Sequence, residues 1–108
     1  MTDYVVRVHP DAADEAVDAK RWYSRRGGRE LGDDFMWRLN SLLERLREVG
    51  ATLCATRQGL PNAQIRRVDM SRFPYSLFVA LEPNRHVIVL AVAHHRRRPG
   101  YWLPRLVE

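Results

Sequence analysis

The 108-residue sequence contains only one cysteine, Cys54, and only one lysine, Lys20. A lone cysteine excludes an internal disulfide and argues against the disulfide-rich class of small secreted domains. The first residues lack the charged and apolar regions of a signal peptide, and the longest apolar run, residues 87–93, is far shorter than the ~20 residues that cross a bilayer. We therefore expect a cytoplasmic protein with no membrane partner.

Histidine is also scarce, and its spacing gives no metal motif. His9 and His86 stand apart, while His94 and His95 are adjacent rather than one helical turn apart. Cys54 falls in a predicted loop and has no second thiol nearby. We expect no metal site and no cofactor.

Charge is distributed unevenly along the chain. Residues 1–50 carry 9 basic and 10 acidic side chains, a net −1, whereas residues 51–108 carry 9 and 3, a net +6. Seventeen of the 18 basic residues are arginine, whose planar guanidinium suits bidentate contact with phosphate or carboxylate. The second half therefore predicts an anionic partner, which is nucleic acid, an acidic protein or both.

The periodicity predicts one strand followed by two helices. Residues 4–9 form a short stretch rich in β-branched residues, which predicts a strand that ends before Pro10. Pro10 suits the first position of a helix, and Gly27-Gly28 is predicted to end that helix. Apolar residues at helical spacing predict a second helix over about residues 30–49, and the short glycine link makes the pair a helical hairpin. Trp22 and Trp37 lie beside the apolar stripes and are predicted to be buried, either in the core or between the helices of the hairpin.

The remainder of the chain predicts a loop and three strands. Residues 51–63 are typical of a loop, and strands are predicted at about 64–70, 75–81 and 86–95, with a turn at Pro83-Asn84. In the last strand both alternating sets are apolar, so we expect it to lie inside the sheet. The fold class is therefore α+β, with the order β-α-α-β-β-β and an antiparallel meander packed against an N-terminal helical hairpin.

Several short motifs occur in a recognisable order. They are Trp22-Tyr23, Leu31-Gly32 with Phe35, Phe73-Pro74-Tyr75, and the ending from His94 and His95 through Arg97-Arg98-Pro99 to Tyr101-Trp102. In this order the sequence resembles the RelE/ParE toxin superfamily over nearly its whole length. The Phe-Pro-Tyr motif and the ending are more similar to the ParE, or plasmid-stabilisation, branch.

The resemblance implies one toxin domain over residues 1–108, which causes growth arrest and is neutralised by an acidic, ParD-like antitoxin. ParE-like members inhibit DNA gyrase by protein contact, whereas RelE-like members cut messenger RNA on the ribosome. RelE-like sites use lysines, and this sequence has only Lys20, so the resemblance favours a gyrase inhibitor that is not an enzyme. A RelE-like endoribonuclease is the alternative, and an inactive antitoxin-binding module is a second one.

The residues themselves allow two kinds of chemistry at the end of the last strand. Cleavage of RNA needs a base, an acid and cations around the phosphate, for which the candidates are His95, Arg97 and Tyr101. Adjacent strand residues face opposite sides, so at most one of the two histidines is expected in a given site.

The favoured reading of the same region is a surface that binds a partner protein. Three arginines in sequence repel one another unless an anion lies nearby, and the acidic residues of the two helices are expected on their outer faces. Tyr101 and Trp102 either form an exposed aromatic contact or fold back over the sheet. The predicted partner-binding residues are Arg66, Arg67, Arg96, Arg97, Arg98, Tyr101 and Trp102.

Overall fold

The computed structural model describes residues 3–53, 56–57 and 65–107. Within these ranges the chain forms β1 (Val5–Val8), α1 (Pro10–Gly27), α2 (Arg29–Val49), β2 (Thr56–Arg57), β3 (Ile65–Asp69), β4 (Tyr75–Glu82) and β5 (His86–His94). The predicted α+β order is confirmed. The loop predicted over residues 51–63 is partly wrong, because a 3₁₀ segment, Gly50–Leu53, and the short strand β2 occupy part of it. Cys54 and the rest of that loop lie outside the described residues.

The two helices pack as the predicted hairpin because glycine permits both the turn and a close approach. Gly28 separates the helices at φ +87°, a backbone conformation that other residues rarely adopt. Gly32 is buried, and a Cβ built on it would overlap the hydroxyl of Ser24 and lie 2.8 Å from the carbonyl oxygen of Lys20. Any larger residue at position 32 would force the helices apart.

The sheet has five strands in the order β1-β5-β4-β3-β2. The strands β3 to β5 are antiparallel neighbours, as predicted for a meander, and β2, which was not predicted, extends the meander beside β3. Strand β1 pairs parallel with β5 after the helical crossover. The last strand is therefore internal, with β1 on one side and β4 on the other. However, β1 covers β5 only from His86 to Val89, so no strand of the described chain lies on that side of the second half of β5.

A β-bulge changes which residues of β5 face the helices. Phe78 pairs with Ala91 and Val79 pairs with Val89, which leaves Leu90 as an extra residue. The predicted strict alternation is wrong beyond that point, because the extra residue shifts the pattern by one. Ala91 consequently packs on the same side of the sheet as Leu90.

Apolar side chains fill both sides of the sheet. The larger core lies between the helical hairpin and one sheet face and includes Phe35, Leu46, Leu77 and Val89. The smaller core covers the opposite face with no helix, and its members are Ile65, Leu90, Ala91, Ala93 and Trp102. The end of β5 thus has packed side chains on both faces, which fixes its direction.

The predicted burial of Trp22 and Trp37 is wrong. Their exposed fractions are 46% and 66%, because the neighbouring Tyr23 and Phe35 take the inward positions of the two helices. A residue one or two positions away on a helix is rotated by roughly 100° to 200°. Within the described chain, neither α1 nor α2 is long and apolar enough to cross a membrane.

Candidate functional site

The loop after β5 presents the predicted arginines at one end of the sheet. Residues 96–98 are all exposed, and the loop is shaped by a backbone hydrogen bond from the N–H of Arg97 to the carbonyl of His94 (3.0 Å). We call residues 94–98 the basic rim. Its position at a strand end keeps the arginines close together while the sheet holds the loop in place.

Trp102 folds back onto the sheet. Its side chain is 3% exposed, and its ring stacks on Phe78 with 4.8 Å between the ring centroids. Of the two roles considered for this residue, the structure places it in the smaller core. The indole is therefore part of the core and offers almost no exposed surface to a partner.

Glu15 in α1 anchors the segment that follows the basic rim. Its carboxylate accepts hydrogen bonds from the Tyr101 hydroxyl (2.7 Å) and from two nitrogens of Arg105 (3.0 and 3.1 Å). The Glu15 and Arg105 side chains are only 15% and 13% exposed. The expectation that all helix carboxylates face outward is wrong for Glu15.

The same ion pair closes the part of β5 that β1 leaves uncovered. Glu15 accepts from the N–H of Val92 (2.9 Å), and Arg105 donates to the carbonyl of Leu90 (2.8 Å). These are the backbone groups that a longer β1 would have paired. Because buried backbone groups need partners, Glu15 and Arg105 take the place of strand residues.

His95 is oriented by a chain of hydrogen bonds. The hydroxyl of Ser76, a residue 2% exposed, donates to Asp69 (2.5 Å) and lies 2.9 Å from Nε2 of His95. Because the hydroxyl proton of Ser76 goes to Asp69, the Ser76 oxygen accepts a hydrogen bond from Nε2–H of His95. The other ring nitrogen, Nδ1, is not engaged by Ser76. Asp69 is also 3.2 Å from Arg67, so the carboxylate has a counter-charge.

His94 makes different contacts from its neighbour. Its ring meets that of Tyr75 edge-on at 5.0 Å, and its Nδ1 accepts from the N–H of Arg96 (3.0 Å). Burial lowers the pKa of His94, and the nearby charges of Arg96 and His95 lower the pKa further. His94 is therefore held in its neutral form.

The predicted arginines divide into three groups. Arg67, Arg97 and Arg98 line one cleft, where the guanidinium of Arg97 lies 3.8 Å from the centre of the Tyr101 ring. Arg96 lines a second groove, and Arg66 donates to the carbonyl of its own neighbour, Ile65 (3.1 Å). The structure therefore brings three of the five arginines together.

Two concave surfaces meet at the basic rim. The first, which we call the helix-side groove, has a volume of about 800 Å³ and lies between α1 and the end of the sheet, with Trp22, Tyr23 and Tyr75 among its lining residues. The second, the open-face cleft, has a volume of about 390 Å³ and lies on the sheet face without helices. His94, His95 and Arg97 line both.

The Tyr101 hydroxyl is engaged inside the protein. Burial and the hydrogen bond to Glu15 both raise the pKa of Tyr101 far above the ordinary tyrosine range. A hydroxyl that already donates to a carboxylate and holds its proton tightly is a poor proton donor to a substrate. Of the three candidate catalytic residues, His95 and Arg97 line the open-face cleft, where His95 keeps one ring nitrogen, Nδ1, that Ser76 does not engage. The Tyr101 hydroxyl is taken up by Glu15.

Four residues of this region were not identified as site residues from the sequence: Glu15, Asp69, Ser76 and Arg105. Glu15 did carry a signal, because it lies in the helical stripe of Ala12, Ala16 and Ala19, where a carboxylate needs a partner. Asp69, Ser76 and Arg105 carry no comparable pattern.

The fold and site define a class of small α+β proteins in which a helical hairpin covers one face of a sheet and an arginine-rich loop ends its last antiparallel strand. A similar solved structure is a chain of the chromosomal ParDE toxin–antitoxin system from P. aeruginosa, with a TM-score of 0.73 and 14% sequence identity. The match covers 84% of this chain and 95% of that one. No family model and no curated protein matches the sequence. The likeness establishes a shared fold.

Proposed function

We propose that this chain is the toxin of a type II toxin–antitoxin pair, similar to ParE, and that it inhibits DNA gyrase in the cytoplasm by protein contact. The single observation that carries the proposal is the fold shared with a chain of the ParDE system. The basic rim adds the chemistry, because exposed arginines at one end of the sheet suit an acidic protein partner.

The antitoxin docks along the helix-side groove and reaches the basic rim. The groove has an aromatic floor made by Tyr23 and Tyr75, and the half-exposed ring of Trp22 stands at its margin. Arg96 and Arg97 line the groove at the end of β5. An amphipathic acidic segment fits this surface, with its apolar side on the aromatic rings and its carboxylates on the arginines.

The binding test uses the short acidic protein expected to be encoded beside this gene. Replacing Arg96, Arg97 and Arg98 together with glutamine should weaken the complex by roughly tenfold to a hundredfold and reduce its dependence on salt. A triple glutamine variant of Arg29, Arg47 and Arg85, exposed arginines outside both grooves, is the matched control. Equal affinity and equal salt dependence of the two variants would refute this docking surface.

The target is tested separately with purified gyrase. The chain should inhibit supercoiling of relaxed plasmid, and the antitoxin should restore the activity. The rim arginines, residues 96–98, are expected to contribute to this inhibition as well, since neutralisation would then be competition for one surface. Full supercoiling at saturating chain would rule out gyrase as the target.

A ribosome-dependent endoribonuclease is the second candidate, and the orientation of His95 is the observation that favours it. The Ser76–Asp69 chain fixes the imidazole beside Arg67 and Arg97, which are suitable cations for a phosphate. Cuts at defined codons in translated message, lost in His95→Ala or Arg97→Ala, would establish this activity in place of gyrase inhibition.

An antitoxin-binding module without toxicity is the remaining alternative. In that case the chain would bind the acidic partner through the rim arginines, but its expression would leave growth unchanged. Expression alone and together with the antitoxin distinguishes this outcome from both toxic activities.

A further inference from the structure

We propose that the open-face cleft binds a free mononucleotide, with the phosphate on its arginines and the base on its apolar floor. The cleft lies on the sheet face opposite the helices, whereas the antitoxin is assigned to the helix-side groove. This inference goes beyond the toxin function and does not depend on it.

The size and floor of the cleft suit a ligand of this kind. Small-molecule sites usually measure about 300–1,000 Å³, and the cleft measures about 390 Å³. Its apolar lining includes Phe78, Ala93 and Trp102, and the rings of Phe78 and Trp102 stack on each other. Leu103, which is 39% exposed, adds an apolar wall. A planar base finds there an apolar surface already shaped by the smaller core.

The charge of the cleft suits a phosphate. Arg67, Arg97 and Arg98 line it together with His95, and none of the described residues that line it carries a carboxylate. Two carboxylates contact lining residues and are themselves already engaged. Asp69 accepts from Ser76 and lies beside Arg67, and Glu15 accepts from Tyr101. The terminal nitrogens of Arg67 and Arg98 make no hydrogen bond or ion pair with any other described residue. These donors are therefore available to an anion.

The binding groups are held in place before any ligand arrives. The Arg97 guanidinium stacks on the Tyr101 ring, which Glu15 holds through its hydroxyl. His95 is fixed through Ser76, and its second ring nitrogen is directed away from that hydrogen bond. Pre-organised donors lose little conformational entropy on binding, which favours affinity for a small anion.

The test is calorimetric titration of the full chain at low salt with adenosine 5′-monophosphate, adenosine and inorganic phosphate. The nucleotide should bind saturably and more tightly than either of its parts. If adenosine binds as well as the nucleotide, the phosphate site is refuted. If inorganic phosphate binds as well as the nucleotide, the base-binding floor is refuted. If the nucleotide does not bind, the whole proposal fails.

A matched pair of variants separates the site from general attraction by a basic protein. Arg98→Gln should raise the dissociation constant of the nucleotide about tenfold or more, because it removes a charged hydrogen-bond donor. Arg85→Gln also removes one positive charge, but at the other end of the sheet, where Arg85 stacks on Tyr4. This variant should bind the nucleotide with unchanged affinity. Equal losses in the two variants would overturn the proposal.

A single-stranded RNA oligonucleotide is the final arm. RNA that binds more tightly per phosphate than the free nucleotide, or that is cleaved, would overturn the mononucleotide assignment in favour of an RNA site. Weaker RNA binding with no cleavage supports it. None of these results depends on gyrase or antitoxin, so failure here and failure of the toxin proposal are distinguishable.

Discussion

Replacing Glu15 with alanine should destabilise this protein more than any surface ion-pair mutation. The Glu15 carboxylate accepts four hydrogen bonds, from the Val92 N–H, the Tyr101 hydroxyl and two nitrogens of Arg105. Its loss leaves Arg105, which is 13% exposed, with the more distant carboxylate of Asp11 (3.7 Å) as its remaining counter-charge among the described residues. Removing one member of a buried pair costs about 3–5 kcal/mol. That is a large part of the roughly 5–15 kcal/mol that stabilises a domain of this size.

Thermal unfolding followed by circular dichroism measures this effect. A loss of this size should lower Tm on the order of 15–30 °C. Arg7→Ala is the control, because its ion pair with Glu82 joins side chains that are 59% and 40% exposed and should contribute less than about 1 kcal/mol. The loss of stability in the double variant Glu15→Gln/Arg105→Met should be smaller than the sum of the losses in the two single variants. If Glu15→Ala lowers Tm no more than Arg7→Ala does, Glu15 does not anchor the C-terminal segment.

Three further predictions concern pH and packing. Because burial and Glu15 raise the pKa of Tyr101, the folded state holds that proton more tightly, so stability present below pH 10 should fall at higher pH. The fall should be smaller in Tyr101→Phe, measured by urea unfolding from pH 8 to 11.5. Because burial lowers the pKa of His94, the neutral ring should stabilise the folded state above about pH 6.5, and this stabilisation should decline on acidification. If His94→Gln shows the same dependence of unfolding free energy on pH below about 6.5, the prediction is wrong. Trp102→Ala should cost about 3–5 kcal/mol in urea unfolding, whereas Trp37→Ala at a 66% exposed position should change stability by about 0.5 kcal/mol or less.

The arrangement of helices and strands was predictable because each element repeats its apolar residues over several turns or pleats. The short strand β2 was not, since two residues contain no period. The β-bulge at Leu90 was also hidden, because every residue from 87 to 93 is apolar and either alternation satisfies the pattern. Bulges are set by the partner strand, which a single stretch of sequence does not show.

The basic rim could be located from the sequence, but its internal support could not. The arginines are adjacent in the chain, so their clustering needs no tertiary information. The support, by contrast, joins residues far apart in sequence, such as Glu15 with Arg105 and Ser76 with His95. The burial of Trp22 and Trp37 was wrongly predicted for the same reason. The way the two helices cross decides which side of each apolar stripe is covered, and the sequence does not show that crossing.

The closed edge of β5 restricts how a partner can bind at the basic rim. Beyond Val89 this strand would offer free backbone groups for strand addition, the usual mode by which an extended peptide binds a sheet edge. In this protein the carbonyl of Leu90 and the N–H of Val92 already have partners in Arg105 and Glu15. A peptide that added a strand there would have to break a buried ion pair, at a cost that its own backbone hydrogen bonds would barely offset. If the proposed antitoxin binds here, its segment should therefore lie beside this edge and make its contacts through side chains, and Glu15 and Arg105 should stay paired in the complex.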